Sequence, residues 1–231
     1  MDERSLLVCL PPSGTGRSFF RRWPRRLAGS RVLPLSRPGH EERMREPLAR
    51  SLLEAAHDCV RTVLALRPDR VVLFGHSLGA AVAFEASRLV ADECREVALV
   101  VSARQSPNLP GRAADLAGAP DGELLAWSGR DAGEVSELLL PALRADLRLS
   151  AEHRWDGGRT TAPLTAIGYA ADDVVPAAEL RGWAGATAGG YRQVVLPGGH
   201  FAALDAPESL IRILADVVAD PAQPAATVVD D

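Results

Sequence analysis

Gly75-His76-Ser77-Leu78-Gly79 is the segment of this chain best suited to covalent chemistry. It follows the apolar run Val71-Val72-Leu73-Phe74 and opens an alanine-rich helical stretch, residues 78–91. A GxSxG pentapeptide between a strand and a helix is the setting of a nucleophilic serine. The tight turn strains the backbone and pushes the hydroxyl out of the sheet, and the flanking glycines remove side chains that would clash there. The Leu78 amide, at the helix N-terminus, is then aimed at an oxyanion on the attacked carbonyl. A tight turn with a bystander serine is the plain alternative, and the strand–turn–helix context weighs against it.

Such a serine needs a base, and the chain has five histidines. His57 falls inside a helical pattern, as a surface or packing residue. His76 adjoins the serine, and the turn should direct its ring away from the site. His40 and His153 lie in connecting segments. His200 follows Leu196-Pro197-Gly198-Gly199, a loop just after the last strand, where this type of fold delivers its base. The histidine in turn needs a carboxylate, and the chain order serine, acid, histidine limits the choice. Ser102-Ala103-Arg104-Gln105 carries none, whereas Gly168-Tyr169-Ala170-Ala171-Asp172-Asp173 carries two. We take Asp172 as the acid and Asp173 as a solvated or capping residue; spacing alone does not separate them. A second oxyanion donor is expected from the loop after the first strand, Pro11-Pro12-Ser13-Gly14. Proline has no amide to give, so Ser13 or Gly14 must supply it, and Ser13 is favoured.

These residues need a scaffold, and the apolar runs provide one. Leu6–Leu10, Arg31–Leu35, Val71–Phe74, Val97–Val101, Leu164–Ile167 and Gln193–Leu196 read as strands. Pro34 marks an edge or a strand end. Helical patterns at 48–66, 78–91 and near 206–219 separate or follow them. Continuously apolar strands alternating with helices indicate an α/β fold with a mostly parallel sheet covered on both faces. Residues 103–155 interrupt the alternation with helical stretches near 121–128 and 134–149. An insertion of that length reads as a helical lid, with a simple decoration packed on the sheet as the alternative. The expected organisation is one domain over 1–219, with a polar, Pro/Ala-rich disordered tail over 220–231.

Composition narrows the chemistry further. All 26 basic residues are arginine. Without lysine there is no P-loop, no kinase nucleotide site and no Schiff base with pyridoxal phosphate. A net charge of −4 argues against nucleic-acid binding. No apolar run approaches the roughly 18 residues of a membrane-spanning helix. The acidic start, Met1-Asp2-Glu3-Arg4, is unlike a secretory signal. Cys9, Cys59 and Cys94 lack metal-site or disulfide-framework spacing and read as buried hydrophobes in a cytoplasmic protein. No metal or other cofactor is expected.

Several segments resemble one family more closely than the hydrolases at large. Cys9-Leu10-Pro11-Pro12-Ser13-Gly14 with Phe19-Phe20-Arg21-Arg22-Trp23, Pro38-Gly39-His40-Glu41-Glu42-Arg43, Leu139–Leu147 and Gly199-His200-Phe201 are similar to motifs of type II thioesterases. These enzymes accompany polyketide synthases and nonribosomal peptide synthetases and belong to the α/β-hydrolase superfamily. The resemblance runs over about residues 5–219. His40, Ser13, Thr15 and Asp173 depart from it, standing where arginine, alanine, glycine and proline are usual, and residues 112–134 match poorly. The resemblance favours Asp172, four residues after the glycine matching Gly168. It implies hydrolysis of acyl groups from the phosphopantetheine thiol of an acyl or peptidyl carrier protein, as an editing reaction. The absence of an Asp-Ser carrier attachment motif adds the expectation of a discrete enzyme. A small-ester carboxylesterase and a non-catalytic binding module are the rival readings. Arg17, Arg21, Arg22, Arg25 and Arg26, with Arg31, form a local basic cluster beside the oxyanion loop, suited to an acidic, phosphate-bearing partner. The plain alternative is a solvated face.

Overall fold

The computed structural model describes residues 4–109, 113–127, 135–205 and 207–222. Among these, seven strands form one sheet: β1 (Ser5–Leu10), β2 (Arg26–Leu27), β3 (Ser30–Pro34), β4 (Arg70–His76), β5 (Glu96–Ser102), β6 (Leu164–Tyr169) and β7 (Tyr191–Leu196). Their spatial order is β2-β3-β1-β4-β5-β6-β7. Every pairing is parallel except the two-residue β2 against β3. Pro34 is the last residue of β3 and causes no break, and β2 takes the edge instead.

Both faces are apolar, as the continuous runs require. Along β1, Leu6, Val8 and Leu10 enter one core, together with α1 (Leu52–Leu64) and α2 (Leu78–Val90). Leu7 and Cys9 enter the other, with Phe19, Phe20 and Trp23, and with Leu210, Leu214 and Val217 of α7 (Glu208–Ala219). Ser51 caps α1 by accepting from the Glu54 amide. Cys9 and Cys59 are buried as expected, and Cys94 is half-buried.

Among the described residues, the segment between β5 and β6 carries three helices: α3 (Ala113–Gly118), α4 (Asp121–Trp127) and α5 (Val135–Glu152). The last two match the expected stretches, whose outer residues 128 and 134 lie outside the described residues; α3 was not anticipated. Leu124 of α4 packs with Leu140, Leu143 and Leu147 of α5 in a small separate cluster. A short helix, α6 (Ala202–Asp205), follows β7. The β6–β7 link contains a 3-10 helix, Ala177–Ala186, also unanticipated; its buried Leu180, Trp183 and Ala186 recur every third residue, the 3-10 repeat rather than the α-helical one. Of the expected tail, residues 223–231 lie outside the described residues. Among the described residues, no helix is long and apolar enough to cross a membrane.

The chain runs from β1 to one side of the sheet and returns through α1 to the other. The strand order therefore reverses beside β1, between β1 and β4. In open parallel sheets, ligands bind at the carboxyl ends of the strands at such a point. Here β1 and β4 are paired through Leu10↔Gly75. With Gly79 pressed against the Leu10 and Pro11 carbonyls, that register sets the start of the Pro11–Gly14 loop against the first turn of α2.

Candidate active site

Ser77 sits between β4 and α2 with φ 52° and ψ −118°, a strained backbone for a residue with a side chain. Its amide donates to the Ser102 carbonyl at 2.8 Å, which pins the turn to the end of β5. The two glycines of the pentapeptide are there for close approach. A Cβ on Gly75 would stand 2.1 Å from the Gly79 carbonyl oxygen, and one on Gly79 would stand 2.1 Å from that of Leu10. The start of α2 is thus pressed onto the end of β1, and no side chain fits between them.

Three of the expected residues meet. His200 Nε2 lies 3.2 Å from Ser77 Oγ. His200 Nδ1 lies 3.1 and 3.0 Å from the two carboxylate oxygens of Asp172. Asp172 Oδ1 also accepts the amides of Val174 and Val175, at 2.9 and 2.8 Å. Burial alone would raise the Asp172 carboxyl. The hydrogen bond and charge of His200, with the Val175 and Val174 amides, outweigh it and hold the group below the usual carboxylate range. Asp173 is exposed and takes no part. His200 and Asp172 are both buried, while Ser77 is half-buried. The arrangement can pass a proton from a serine hydroxyl to an imidazole whose tautomer is fixed from behind.

Leu78 is the first residue of α2, so its amide has no intrahelical acceptor. In the facing loop the Gly14 amide is already occupied, donating to Asp146 Oδ2 of α5 at 2.8 Å. Among the described residues the Ser13 amide meets no acceptor. Of the two donors weighed from sequence, Ser13 is therefore the one left available.

The other histidines have structural partners or none. His57 is exposed on α1, and His153 contacts Glu85 at 3.2 Å. His40 is buried and its Nε2 donates to Asp146 at 2.9 Å. His76 has a role that the sequence did not disclose. Its Nε2 donates to the His200 carbonyl at 2.8 Å, while Nδ1 accepts from Ser102 Oγ at 3.1 Å. Ser102 Oγ is in turn 3.0 Å from the Tyr169 hydroxyl. This chain crosses the carboxyl ends of β4, β5 and β6 and ties the backbone of the His200 loop to them. Burial, then the nearby His200 charge, pushes the His76 pKa down to about 3, so the ring is neutral and serves as a strut. Its only sequence signal is a polar ring between strand residues and the serine.

The expected basic residues sit together on the surface. Arg17, Arg21, Arg22, Arg25 and Arg26 are all exposed. Arg17 pairs with Glu42 at 3.3 Å, and Arg26 donates to the Gly29 carbonyl at 3.2 Å. Arg17, Arg21 and Arg25 line one groove of about 320 Å³ beside Trp23. No cluster of three or more potential metal ligands occurs among the described residues.

Comparison with known proteins gives this geometry a family. Residues 5–217 match the family model of the thioesterase domain. Thioesterase PikA5 of Streptomyces venezuelae is 33% identical over 218 residues, 84% of this chain and 74% of that protein. The structure of RedJ, a thioesterase from the prodiginine biosynthetic pathway in Streptomyces coelicolor, superposes with a TM-score of 0.82 at 30% identity, covering 92% of this chain and 90% of that one. The type II thioesterase BorB from the borrelidin biosynthetic cluster gives 0.80 at 29% identity, covering 93% and 92%. The non-heme bromoperoxidase BpoC of Mycobacterium tuberculosis and a hydrolase from Pseudomonas aeruginosa, at 18% and 20% identity, share the fold with TM-scores of 0.70 and 0.68. With a match that spans nearly all of its length and a strained serine, an imidazole and a carboxylate aligned at the strand ends, the chain belongs to the thioesterase family and has the α/β-hydrolase fold.

Proposed function

We propose that this protein is a serine thioesterase that hydrolyses acyl groups from the phosphopantetheine thiol of acyl or peptidyl carrier proteins, as a discrete cytoplasmic editing enzyme of polyketide or nonribosomal peptide assembly. The observation that carries the chemistry is Ser77, held at φ 52° with its Oγ 3.2 Å from an imidazole that Asp172 grips from behind. The kinship with PikA5, RedJ and BorB supports the substrate class.

Ser77 Oγ attacks the thioester carbonyl carbon and His200 Nε2 takes its proton. Asp172 accepts the Nδ1 hydrogen, orients the ring and stabilises the imidazolium. The Leu78 and Ser13 amides hold the oxyanion of the tetrahedral intermediate. The carbon–sulfur bond breaks and the thiolate leaves with the proton from His200. Water, deprotonated by the same ring, attacks the acyl-serine ester, and the carboxylic acid departs as Ser77 recovers its proton. The helices over residues 103–155 act as the lid. Arg17, Arg21, Arg22, Arg25 and Arg26 receive the acidic carrier protein; Arg21, Arg22 and Arg25 have no ion-pair partner among the described residues, and the groove lined by Arg17, Arg21 and Arg25 suits a phosphate.

The test compares one acyl group presented as a carrier-bound thioester and as a nitrophenyl ester. The carrier thioester should have a kcat/KM at least tenfold higher. The reverse preference would make the protein a small-ester carboxylesterase.

A further inference from the structure

The oxyanion loop is fastened by charges that have no business in an apolar interior unless they hold something. Arg37 is 3% exposed and Asp146 1%. Arg37 Nη2 and Nε donate to Asp146 Oδ2 and Oδ1 at 2.6 and 3.4 Å. His40 Nε2 and the Gly14 amide share Asp146 Oδ2, at 2.9 and 2.8 Å. Burial would push the Asp146 carboxyl up, but the Arg37 charge and the His40 hydrogen bond keep it lowered and ionised. Breaking such a pair by removing one partner is costly, because a charge is left buried alone.

What Arg37 does with its remaining donors is the informative part. Nη1 donates to the Pro11 carbonyl at 2.7 Å, and Nη2 to the Pro12 carbonyl at 2.9 Å. Thr15 Oγ1 donates to the same Pro12 oxygen at 2.9 Å. The Pro12 carbonyl and the Ser13 N–H belong to one peptide unit, which is planar and trans. Fixing the oxygen on one side therefore aims the N–H to the opposite side. A cation on that oxygen also polarises the peptide and makes its N–H a stronger donor. The Gly14 amide is meanwhile turned away, toward Asp146.

We infer that Arg37 is a positioning residue for the thioester reaction: it orients and polarises the Pro12–Ser13 peptide so that the Ser13 amide serves the oxyanion, with Asp146 of α5 as its counter-ion. This rests on the thioesterase reading above. It also makes the oxyanion half of the site depend on the seating of α5, because one carboxylate bonds both Arg37 and the loop.

The experiment uses the full chain with Arg37→Lys and the double variant Arg37→Gln/Asp146→Asn, in which neither member of the Arg37–Asp146 pair is left as a lone charge. Each is measured for Tm, for kcat and KM on an acyl thioester, and for the inhibition constant of an alkyl boronic acid, whose adduct with Ser77 places an oxygen where the oxyanion forms. Arg37→Lys keeps the pairing with Asp146 but lacks the planar fork that spans two carbonyls. It and the double variant should retain a cooperative melt. Both should lose about 10–100-fold in kcat with KM within about threefold, and the boronate constant should rise in step. A cooperatively melting variant with kcat within twofold of wild type overturns the inference. So does a loss carried by KM, or a kcat loss with unchanged boronate affinity. If neither of these variants melts cooperatively, Arg37 is part of the fold alone and the inference also falls. A wild type that neither reacts with a fluorophosphonate nor turns over would instead sink the thioesterase reading, which separates the two failures.

Discussion

The two halves of the site are held in place by opposite means. Ser77, Asp172 and His200 stand at the ends of β4, β6 and β7, and each is placed by the few residues around it: a glycine-flanked turn, two amides on a carboxylate, a loop tied back through His76. The oxyanion loop, Pro11–Gly14, lies beside them in the β1–β4 register but takes its conformation from a distant source. Arg37 and Asp146 come from two different segments, 109 residues apart in sequence, and meet in the interior as ions. The strand-end half draws on backbone geometry and hydrogen bonds, whereas the loop half draws on charges whose desolvation must be offset by mutual pairing. The first is robust to changes elsewhere; the second transmits them. On the proposed mechanism, attack and proton transfer are therefore built into the sheet, and transition-state stabilisation is coupled to α5.

The sharpest way to break the comparison within the strand-end half is at the acid. Asp172→Asn should lower kcat about 10³–10⁴-fold, because the amide favours the wrong imidazole tautomer. Asp173→Asn should change it less than threefold. Steady-state kinetics on one thioester substrate decides this, and equal losses would mean that the carboxylate seen on His200 is not the working one.

A smaller effect tests the strut. The folded His76 has a pKa of about 3, against about 6.5 when unfolded. Above pH 6.5 both forms are neutral. As the pH falls below that, the unfolded chain binds a proton that the folded chain refuses, so stability is lost until the pH reaches the folded value. Between pH 6.5 and 4.5 this amounts to about 2–3 kcal/mol, at about 1.4 kcal/mol per unit. Urea melts at the two pH values should show that loss in wild type, and His76→Gln, which does not titrate, should lack it. Equal losses in both proteins would show that the ring titrates in the fold.

The smallest expected effect concerns the surface beside the oxyanion loop. Arg21→Glu with Arg25→Glu should lower the ratio of kcat/KM for carrier-bound over free thioester by about five- to tenfold, mainly through KM. Added salt should weaken the carrier reaction of wild type more than that of the variant. An unchanged ratio would leave those arginines as a solvated face and move the docking surface to the helices of residues 103–155.

The difference between the halves also explains what could be read in advance. The serine turn, the histidine loop and the parallel sheet are visible because each is written in contiguous residues: an apolar run, a GxSxG pentapeptide, a glycine loop after a strand. Asp172 could be separated from Asp173 only by resemblance, since neighbouring carboxylates differ in nothing but direction. Two strands proved longer at their carboxyl ends than their apolar runs: β4 continues through Gly75 and His76 and β6 through Gly168 and Tyr169, and His76 and Tyr169 there join the hydrogen-bonded chain behind His200. Arg37 and Asp146 were not legible as a pair. Asp146 does fall on the helical face of Leu143 and Leu147, and a carboxylate on an apolar face is the one signal that could have marked it. His76 was expected to turn away from Ser77, and it does, but no local pattern discloses that its ring carries the His200 loop.

The central claim is that Ser77 forms the acyl-enzyme, and intact-mass measurement during turnover of an acyl carrier substrate tests it most directly. After rapid acid quench, wild type should carry one acyl group, mapped by peptide digestion to Ser77, and should label stoichiometrically with a fluorophosphonate. Ser77→Ala should show neither adduct, should melt like wild type, and should lose hydrolysis by at least about 10³-fold. Hydrolysis near the wild-type rate in Ser77→Ala, or an acyl group mapped to another residue, would contradict the account.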